Sequence, residues 1–406
     1  MSTTFDVDLH AMAHGGEAIG RLPDGRAVFV RGGIPGERVR IEVERQKKRW
    51  ARARLLEVLD PSPDRVEPPC PFAADCGGCQ WQHIALDRQR ALKREILRGQ
   101  IQHLAGIDDP PVEEVRAVGE PDGFGYRNHV VLSVDGEGRV GYLREGTHEV
   151  VPVDHCAVLH PLLQEWHEAL PPLPGVRKLD LRVGTRTAQR LAQTRGRPEA
   201  EAAREAAERG VPLVPAGTGE ITEMVGTHKL RISSKSFFQV NTDGAEALVE
   251  LALEMLDPEP EHTVVDAYAG VGLFALPLAE RAGRVLAIER HPAAVRDLHH
   301  HAEQAKTSIH VIATDVSDAF PQLPKTVDRV LADPPREGLG GEVARSLTGL
   351  QPSRIVLVAC DPAALGRDVG ALIEHGFRLE RVVGVDLFPH TFHVEAVALL
   401  SARSFD

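Results

Sequence analysis

Five cysteines and a set of carboxylates that end apolar runs hold the chemistry legible in this chain. Cys360 follows Arg354-Ile-Val-Leu-Val-Ala359 and precedes Asp361-Pro362, so it sits on a stiff exit from a strand. A lone cysteine is most often an inert buried thiol; at the rim of a ligand crevice it becomes a nucleophile. Asp266, Glu289, Asp315 and Asp333 also end apolar runs, and ligands of open α/β sheets bind beyond the carboxyl ends of the strands. All five groups are therefore expected to face one crevice. A helix N-cap is the plainer reading of Asp315. Asp333 differs, because Pro334 and Pro335 forbid an immediate helix and stiffen the loop that aims Asp333 and Arg336.

The elements that must position these groups are built outward from Val264–Phe274. A β-branched run ends in Asp266, a small-residue loop carries Gly270 and Gly272, and Leu273 to Ala282 has helical apolar spacing. A second apolar run, Arg284 to Ile288, ends in Glu289, where nucleotide-binding βαβ units place the carboxylate that holds a ribose. This reads as a nucleoside-cofactor site. A pyrophosphate loop would repeat glycine as G-x-G-x-x-G, and Asp266 beside the loop would repel phosphate, so S-adenosylmethionine is preferred over a dinucleotide. A lone Gly-x-Gly is also consistent with a structural turn.

Upstream, residues 5 to 59 alternate short β-rich runs (Ala27 to Val30, Arg38 to Val43, Ala53 to Val58) with Gly and Pro turns, as in a small OB-like barrel. Arg38 to Arg54 is strongly basic around Trp50, a strip able to follow a phosphate backbone and stack a base; a solvated charged hairpin is the alternative. A Pro-rich linker, Pro61 to Pro71, leads into Cys70-x5-Cys76-x2-Cys79, and Cys156 is the remaining upstream thiol. Three close thiolates plus a remote one fit a cubane iron–sulfur cluster better than zinc, which more often shows two Cys-x2-Cys pairs. Asp87 to Leu104 reads as a packing helix, and Phe124 to Val134 with Arg139 to Leu143 as a hairpin. Residues 193 to 210 read as a solvated Ala-rich helix or loop. Lys235-Ser-Phe-Phe-Gln-Val-Asn241 precedes a helix from Ala245 to Leu256 and could be no more than a buried edge. From Thr263 onward, strands alternate with helices, the pattern of a parallel α/β sheet.

At 406 residues the chain has room for two or three cores, and its net charge of −12 argues against indiscriminate nucleic-acid binding while allowing a local basic patch. No apolar run approaches the roughly 18 residues of a membrane helix. The start lacks the regions of a signal peptide, so a cytoplasmic protein is expected. An odd number of cysteines without a secretory mark argues against a disulfide framework.

Five ordered motifs then become specific together. Asp386-Leu-Phe-Pro-His-Thr-Phe-His-Val-Glu395, Asp333-Pro-Pro-Arg-Glu-Gly338, Cys360-Asp-Pro, Lys235-Ser-Phe-Phe-Gln-Val-Asn241 and the cysteine spacing resemble the RNA uracil-5-methyltransferase family over essentially the whole chain. Within that family the chain is similar to the 23S rRNA branch. The resemblance implies a Rossmann-like class I methyltransferase domain (236–406), an N-terminal OB-like TRAM barrel (1–60) and a mixed central iron–sulfur domain (61–235). It implies Cys360 as nucleophile and Glu395 as general base, with Gln239, Tyr268, Glu289 and Asp333 lining the S-adenosylmethionine site. Cys70, Cys76, Cys79 and Cys156 would hold a [4Fe-4S] cluster, and the partner would be RNA, met as a monomer. One departure stands out. The family usually has Ser-Cys-Asn where this chain has Ala359-Cys360-Asp361, and a carboxylate beside the thiol should make the thiolate harder to form. A tRNA (uracil-5)-methyltransferase and a catalytically inert iron–sulfur RNA-binding protein remain as alternatives. A cytosine-5 enzyme would need a second cysteine, which the cluster leaves no room for.

Overall fold

The computed structural model describes residues 4–305 and 308–403. Its first five strands, β1 (Thr4–Met12), β2 (Ala18–Arg21), β3 (Ala27–Arg31), β4 (Arg38–Gln46) and β5 (Trp50–Asp60), close a barrel in the order β1-β2-β3-β5-β4. Strict alternation turns Val7, Leu9, Val39, Ile41, Ala51 and Ala53 inward. The arginines between them face out, and several are already neutralised. Arg40 pairs with Asp6 and Glu57, Arg52 with Glu17, and Arg54 with Glu42. Arg45 and Arg52 each lie 5.8 Å from the Trp50 ring. The basic run is thus a partly compensated face rather than a bare strip.

Past the linker, helix α1 (Leu86–Ala105) leads to β6 (His129–Val134), β7 (Val140–Leu143), β8 (Val150–Pro152), α2 (Pro161–Ala169), β9 (Val176–Val183), β10 (Arg190–Gly196), α3 (Ala200–Glu208) and β11 (Leu213–Pro215). The strands form one sheet, β11-β10-β9-β6-β7-β8, over a core that includes Leu132, Leu163, Trp166, Leu179 and Leu181. The Ala-rich segment is largely solvated, as its composition suggests. Its first residues belong to β10, and α3 turns the small side chains Ala202 and Ala206 inward.

The hairpin β12 (Glu220–Val225) and β13 (His228–Ser233) belongs by its packing to the catalytic half, whose core takes in Ile221, Val225, Leu230 and Ile232. Then come α4 (Thr242–Leu256), β14 (Thr263–Ala267), α5 (Ala275–Ala279), β15 (Arg284–Ile288), α6 (Pro292–Ala305), β16 (Ile309–Ile312), α7 (Val316–Ala319), β17 (Arg329–Ala332), α8 (Gly340–Gly349), β18 (Arg354–Ala359), α9 (Pro362–Glu374), β19 (Phe377–Val385) and β20 (Glu395–Ala402). The sheet order is β16-β15-β14-β17-β18-β20-β19, parallel from β16 to β18, with β20 inserted antiparallel between β18 and β19. The helix expected from Leu273 to Ala282 is only α5, because the turns of the glycine loop run on through Phe274.

Helix α1 docks on the catalytic half along one face, and Leu92 and Ile96 on it also meet Ile34 of the barrel. Gly366 and Gly370, one turn apart on α9, let the two backbones approach, since a Cβ at Gly366 would lie 2.8 Å from the Gln100 carbonyl oxygen. Leu97 and Ile101 complete the core there. Amid this apolar face the fully buried Lys93 donates to Asp386 Oδ1 at 2.5 Å and to the Phe388 carbonyl at 3.0 Å. Burial pulls its ammonium pKa down and the carboxylate opposes this. Lys93→Met leaves Asp386 buried without a cation, so it should lower unfolding free energy by about 3–5 kcal/mol. Chemical denaturation checks this, with Lys93→Met/Asp386→Leu recovering most of the loss.

Candidate active site

The antiparallel insertion of β20 builds the site. Ala359 at the end of β18 pairs with Ala396 on β20, so extending the ladder by one residue sets Cys360 opposite Glu395. Cross-strand neighbours lie about 4.5–5.5 Å apart at Cβ. Because β20 runs against its neighbours, its first residue lies at the edge where the parallel strands end. Asp333 leaves β17 at the same edge, its N–H donating to the Ala267 carbonyl at 3.2 Å. Cys360, Glu395, Asp333 and Arg336 all line one cavity of about 1110 Å³.

The charges in this cavity oppose one another. The Cys360 thiol is pushed up to about 12, first by burial and then by Glu395 and Asp333, while Arg336 pulls it down. Burial and Asp333 hold the Glu395 carboxyl up at about 8, again with Arg336 opposing. Burial raises Asp333 to about 7. Arg336 is thus the cation that favours the ionised forms of both reactive groups. Asp361 is not among the main influences on the thiol. Its Oδ1 caps α9 by accepting from the Ala364 N–H at 2.7 Å, and its Oδ2 lies 3.0 Å from His14 Nε2.

The remaining expected residues converge as well. Gln239, Tyr268 and Glu289 line the same cavity. Tyr268 has φ of +67°, a left-handed conformation costly for a bulky side chain and typical of a functional constraint. The Glu289 carboxylate accepts from the Gly270 N–H at 2.9 Å and the His291 N–H at 2.5 Å, which ties the glycine loop to the end of β15. Asp315 is an N-cap, accepting from the Ser317 N–H at 3.1 Å, and also reaches the cavity wall. Asp266 is the exception. It is fully buried and does not line the cavity, both its oxygens lack partners among the described residues, and burial raises its pKa well above the carboxylate range. Because Asp266 does not face the cavity, it gives no ground for preferring a sulfonium to a phosphate.

Two segments frame the cavity from outside the sheet. Residues 235–241 are held by the central sheet: Asn128 Nδ2 donates to the Gln239 carbonyl at 3.1 Å and Arg182 to that of Ser236 at 3.0 Å. Phe238 is buried, while Phe237 is 71 % exposed at the cavity mouth, so the paired aromatics are more than a buried edge. The turn from Asp386 to His393 is clamped by Lys93, by Gln89, which accepts from the His390 N–H at 2.8 Å, and by Asn241, which donates to the Leu387 carbonyl at 3.0 Å. Sequence reading missed Lys93, although a lysine between Leu92 and Ile96 on an apolar face was the available signal. It also passed over His393, which lines the cavity and whose imidazole burial lowers to about 4.

Cys70, Cys76, Cys79 and Cys156 line the cavity's other wall. The Gly78 N–H donates to Cys76 Sγ at 3.3 Å, and Tyr142 Oη lies 3.3 Å from Cys156 Sγ. Among the described residues no three His, Cys, Asp or Glu side chains converge closely enough to hold a single metal ion. None of the helices in that range is long and apolar enough to cross a membrane.

Fold and crevice define a class I methyltransferase with an N-terminal TRAM barrel. Residues 224–403 match the tRNA (uracil-5-)-methyltransferase family and residues 2–56 the TRAM domain. The chain is 36 % identical to an uncharacterized RNA methyltransferase of Gloeobacter violaceus, over 98 % of this chain and 96 % of that one. It is 35 % identical to the 23S rRNA (uracil(1939)-C(5))-methyltransferase RlmD of Chromohalobacter salexigens, over 98 % and 90 %. It also resembles the crystal structure of the Pyrococcus abyssi tRNA (uracil-54, C5)-methyltransferase in complex with S-adenosyl-L-homocysteine, with a TM-score of 0.76 and 26 % identity over 97 % of this chain and 99 % of that one. The chain belongs to this family of S-adenosylmethionine-dependent RNA (uracil-5)-methyltransferases.

The raised carboxyl of Glu395 has a thermodynamic consequence. Its folded pKa of about 8 lies above the unfolded value, so the protonated form stabilises the fold at low pH and that stability is lost as pH rises toward and through 8. Glu395→Gln should therefore raise Tm at pH 9 by several degrees and change it little at pH 5, as differential scanning calorimetry reads directly.

Proposed function

We propose that this enzyme forms 5-methyluridine in 23S rRNA, with Cys360 as nucleophile and Glu395 as base. The observation that carries the reading is the strand register that opposes Cys360 and Glu395 at one end of the cavity. The 35 % identity to an rRNA enzyme over nearly the full chain favours rRNA. The likeness to a tRNA enzyme keeps tRNA as the second reading.

The donor set suits S-adenosylmethionine: Glu289 for ribose hydroxyls, the Tyr268 ring for the adenosine, Gln239 and Asp333 for the polar amino-acid end. When bound it supplies an electrophilic sulfonium methyl. Carbon 5 of uracil is too weak a nucleophile to take that methyl unaided. Addition of the Cys360 sulfur to carbon 6 makes carbon 5 an enolate carbon that can. The adduct then carries both methyl and proton on carbon 5. Glu395 removes the proton, and the electron pair returned to the ring expels the cysteine sulfur. Arg336 favours the thiolate before addition and the carboxylate before proton removal. A paired uridine is beyond reach of such a pocket, so the target base is flipped in, with the exposed Phe237 offering a stacking face at the mouth. In this division of labour, the barrel and the central sheet grip flanking RNA, and the half that begins with the β12–β13 hairpin carries the chemistry, working as a monomer in the cytoplasm. Lys47, Lys48 and Arg49, which have no acidic partner among the described residues, form the barrel's free basic tip.

The test is tritium release from carbon 5 of uridine in 23S rRNA and tRNA transcripts. Release from rRNA alone supports the first reading and release from tRNA alone the second. Cys360→Ala should abolish release, and Glu395→Gln should leave a covalent RNA–protein adduct visible on denaturing gels. Full activity of Cys360→Ala overturns the mechanism.

A [4Fe-4S] cluster on Cys70, Cys76, Cys79 and Cys156 belongs to the same proposal. The support is the thiol set itself: all four line the same cavity, a ligand number that suits a group whose thiolates each meet a different iron, and Cys76 Sγ accepts from the Gly78 N–H. Anaerobically purified protein should be brown and contain about four irons per chain. A colourless, zinc-loaded chain would exclude the cluster.

A further inference from the structure

The barrel reaches the turn that follows Cys360. The β1–β2 loop, residues 13–17, lies against two parts of the catalytic half and against the segment that leads into α1. His14 Nε2 meets Asp361 Oδ2 at 3.0 Å. The Gly16 carbonyl accepts from the buried Trp81 indole N–H at 3.0 Å. Gly16 itself, at φ +81°, sits flat on Phe392, where a Cβ would come within 2.7 Å of the ring. A small apolar cluster seals the contact: Ile34 from the barrel packs with Trp81, Ile84, Leu92 and Ile96, and Met12 and Phe392 close it from either side. The loop is therefore placed by a core, and its histidine arrives at Asp361 with its backbone already fixed.

Asp361 follows Cys360 directly and divides its carboxylate between two jobs. One oxygen caps α9 through the Ala364 N–H; the other holds His14. We propose that His14 is a positioning residue for the methyl-transfer reaction, holding the Asp361 turn so that Cys360 points into the cavity, and that the barrel thereby completes the catalytic site as well as gripping RNA. The pair accounts for the departure at residue 361. A carboxylate beside the nucleophile is accommodated because the barrel supplies a partner that engages it. Both side chains are about one-third exposed, 35 % and 28 %, and a pair so open to water stabilises a fold by no more than about 1 kcal/mol. Its value is geometric, since misplacing a reacting group by about 1 Å can slow a reaction roughly a hundredfold.

The inference rests on Cys360 being the nucleophile, and the experiment separates the two. Full-length His14→Ala, His14→Gln, Asp361→Ala and His14→Ala/Asp361→Ala are compared for kcat, KM for RNA, Tm, and the rate at which iodoacetamide alkylates Cys360, followed on its peptide by mass spectrometry. His14→Ala should lower kcat about ten- to a hundredfold with KM for RNA and Tm nearly unchanged, and should alkylate several-fold faster as the turn loosens. His14→Gln, which can donate to the same carboxylate, should restore both. On the Asp361→Ala background, His14→Ala should have no further effect. An unchanged kcat and alkylation rate, an effect confined to KM for RNA, a glutamine variant no better than alanine, or additive single effects would each overturn the proposal. A wild-type chain that alkylates as described but releases no tritium would instead count against the functional reading, leaving the His14 contact standing.

Discussion

One strand running the wrong way organises this molecule. Had β20 joined the sheet parallel to β18, Glu395 would emerge at the opposite edge, a strand's length from Cys360. Its antiparallel insertion between β18 and β19 turns the register itself into the device that opposes thiol and carboxylate, and β17 delivers Asp333 beside them. Backbone hydrogen bonds, shared along a ladder and shielded in a core, hold that opposition more rigidly than loops could. The clamps around it serve the same end. Lys93, Gln89 and Asn241 pin the turn that feeds β20, and the two glycines of α9 let α1 approach closely enough to carry Lys93 there.

That rigidity concentrates like charge where water is scarce. The ionised forms of Cys360, Glu395 and Asp333 are all disfavoured, with burial the first cause in each and Asp333 adding to the shift of the other two. The fold thus stores an electrostatic cost at its reactive centre, offset in part by Arg336. For a base that works near neutrality such a shift is useful, because a carboxylate held near 8 draws a proton from carbon more strongly than one left at its ordinary value. In the proposed reaction the shift of the Cys360 thiol is adverse, and Arg336 opposes it, so the double-proline loop that carries Arg336 would matter to that chemistry.

Much of this was legible in the residue pattern. The barrel strands, α1, the β15 run ending in Glu289 and the Asp315 cap come from alternation, helical spacing and capping chemistry, which are local rules. Where those rules had less purchase, the reading slipped. Spacing alone extended α5 to Ala282, because apolar periodicity does not register where a glycine loop stops turning. Ala-rich composition, by contrast, suggested a solvated helix or loop near residue 200, and α3 is a largely exposed helix whose buried contacts are only Ala202 and Ala206. Asp266 read as a crevice group because it ends a strand like its neighbours; only the folded chain shows that it is fully buried and off the cavity lining.

By itself the sequence determined which residue types end which strands, and so which groups could meet a ligand, because those are properties of neighbours along the chain. It could not determine that β20 runs antiparallel, that a lysine on α1 neutralises an aspartate 293 residues away, or that a histidine in the barrel meets the residue after Cys360 across 347 positions. Such pairings depend on how separately formed layers settle against one another, and the free energy that selects them comes from burying whole faces at once. No short stretch contains that information, so the tertiary structure alone decided it.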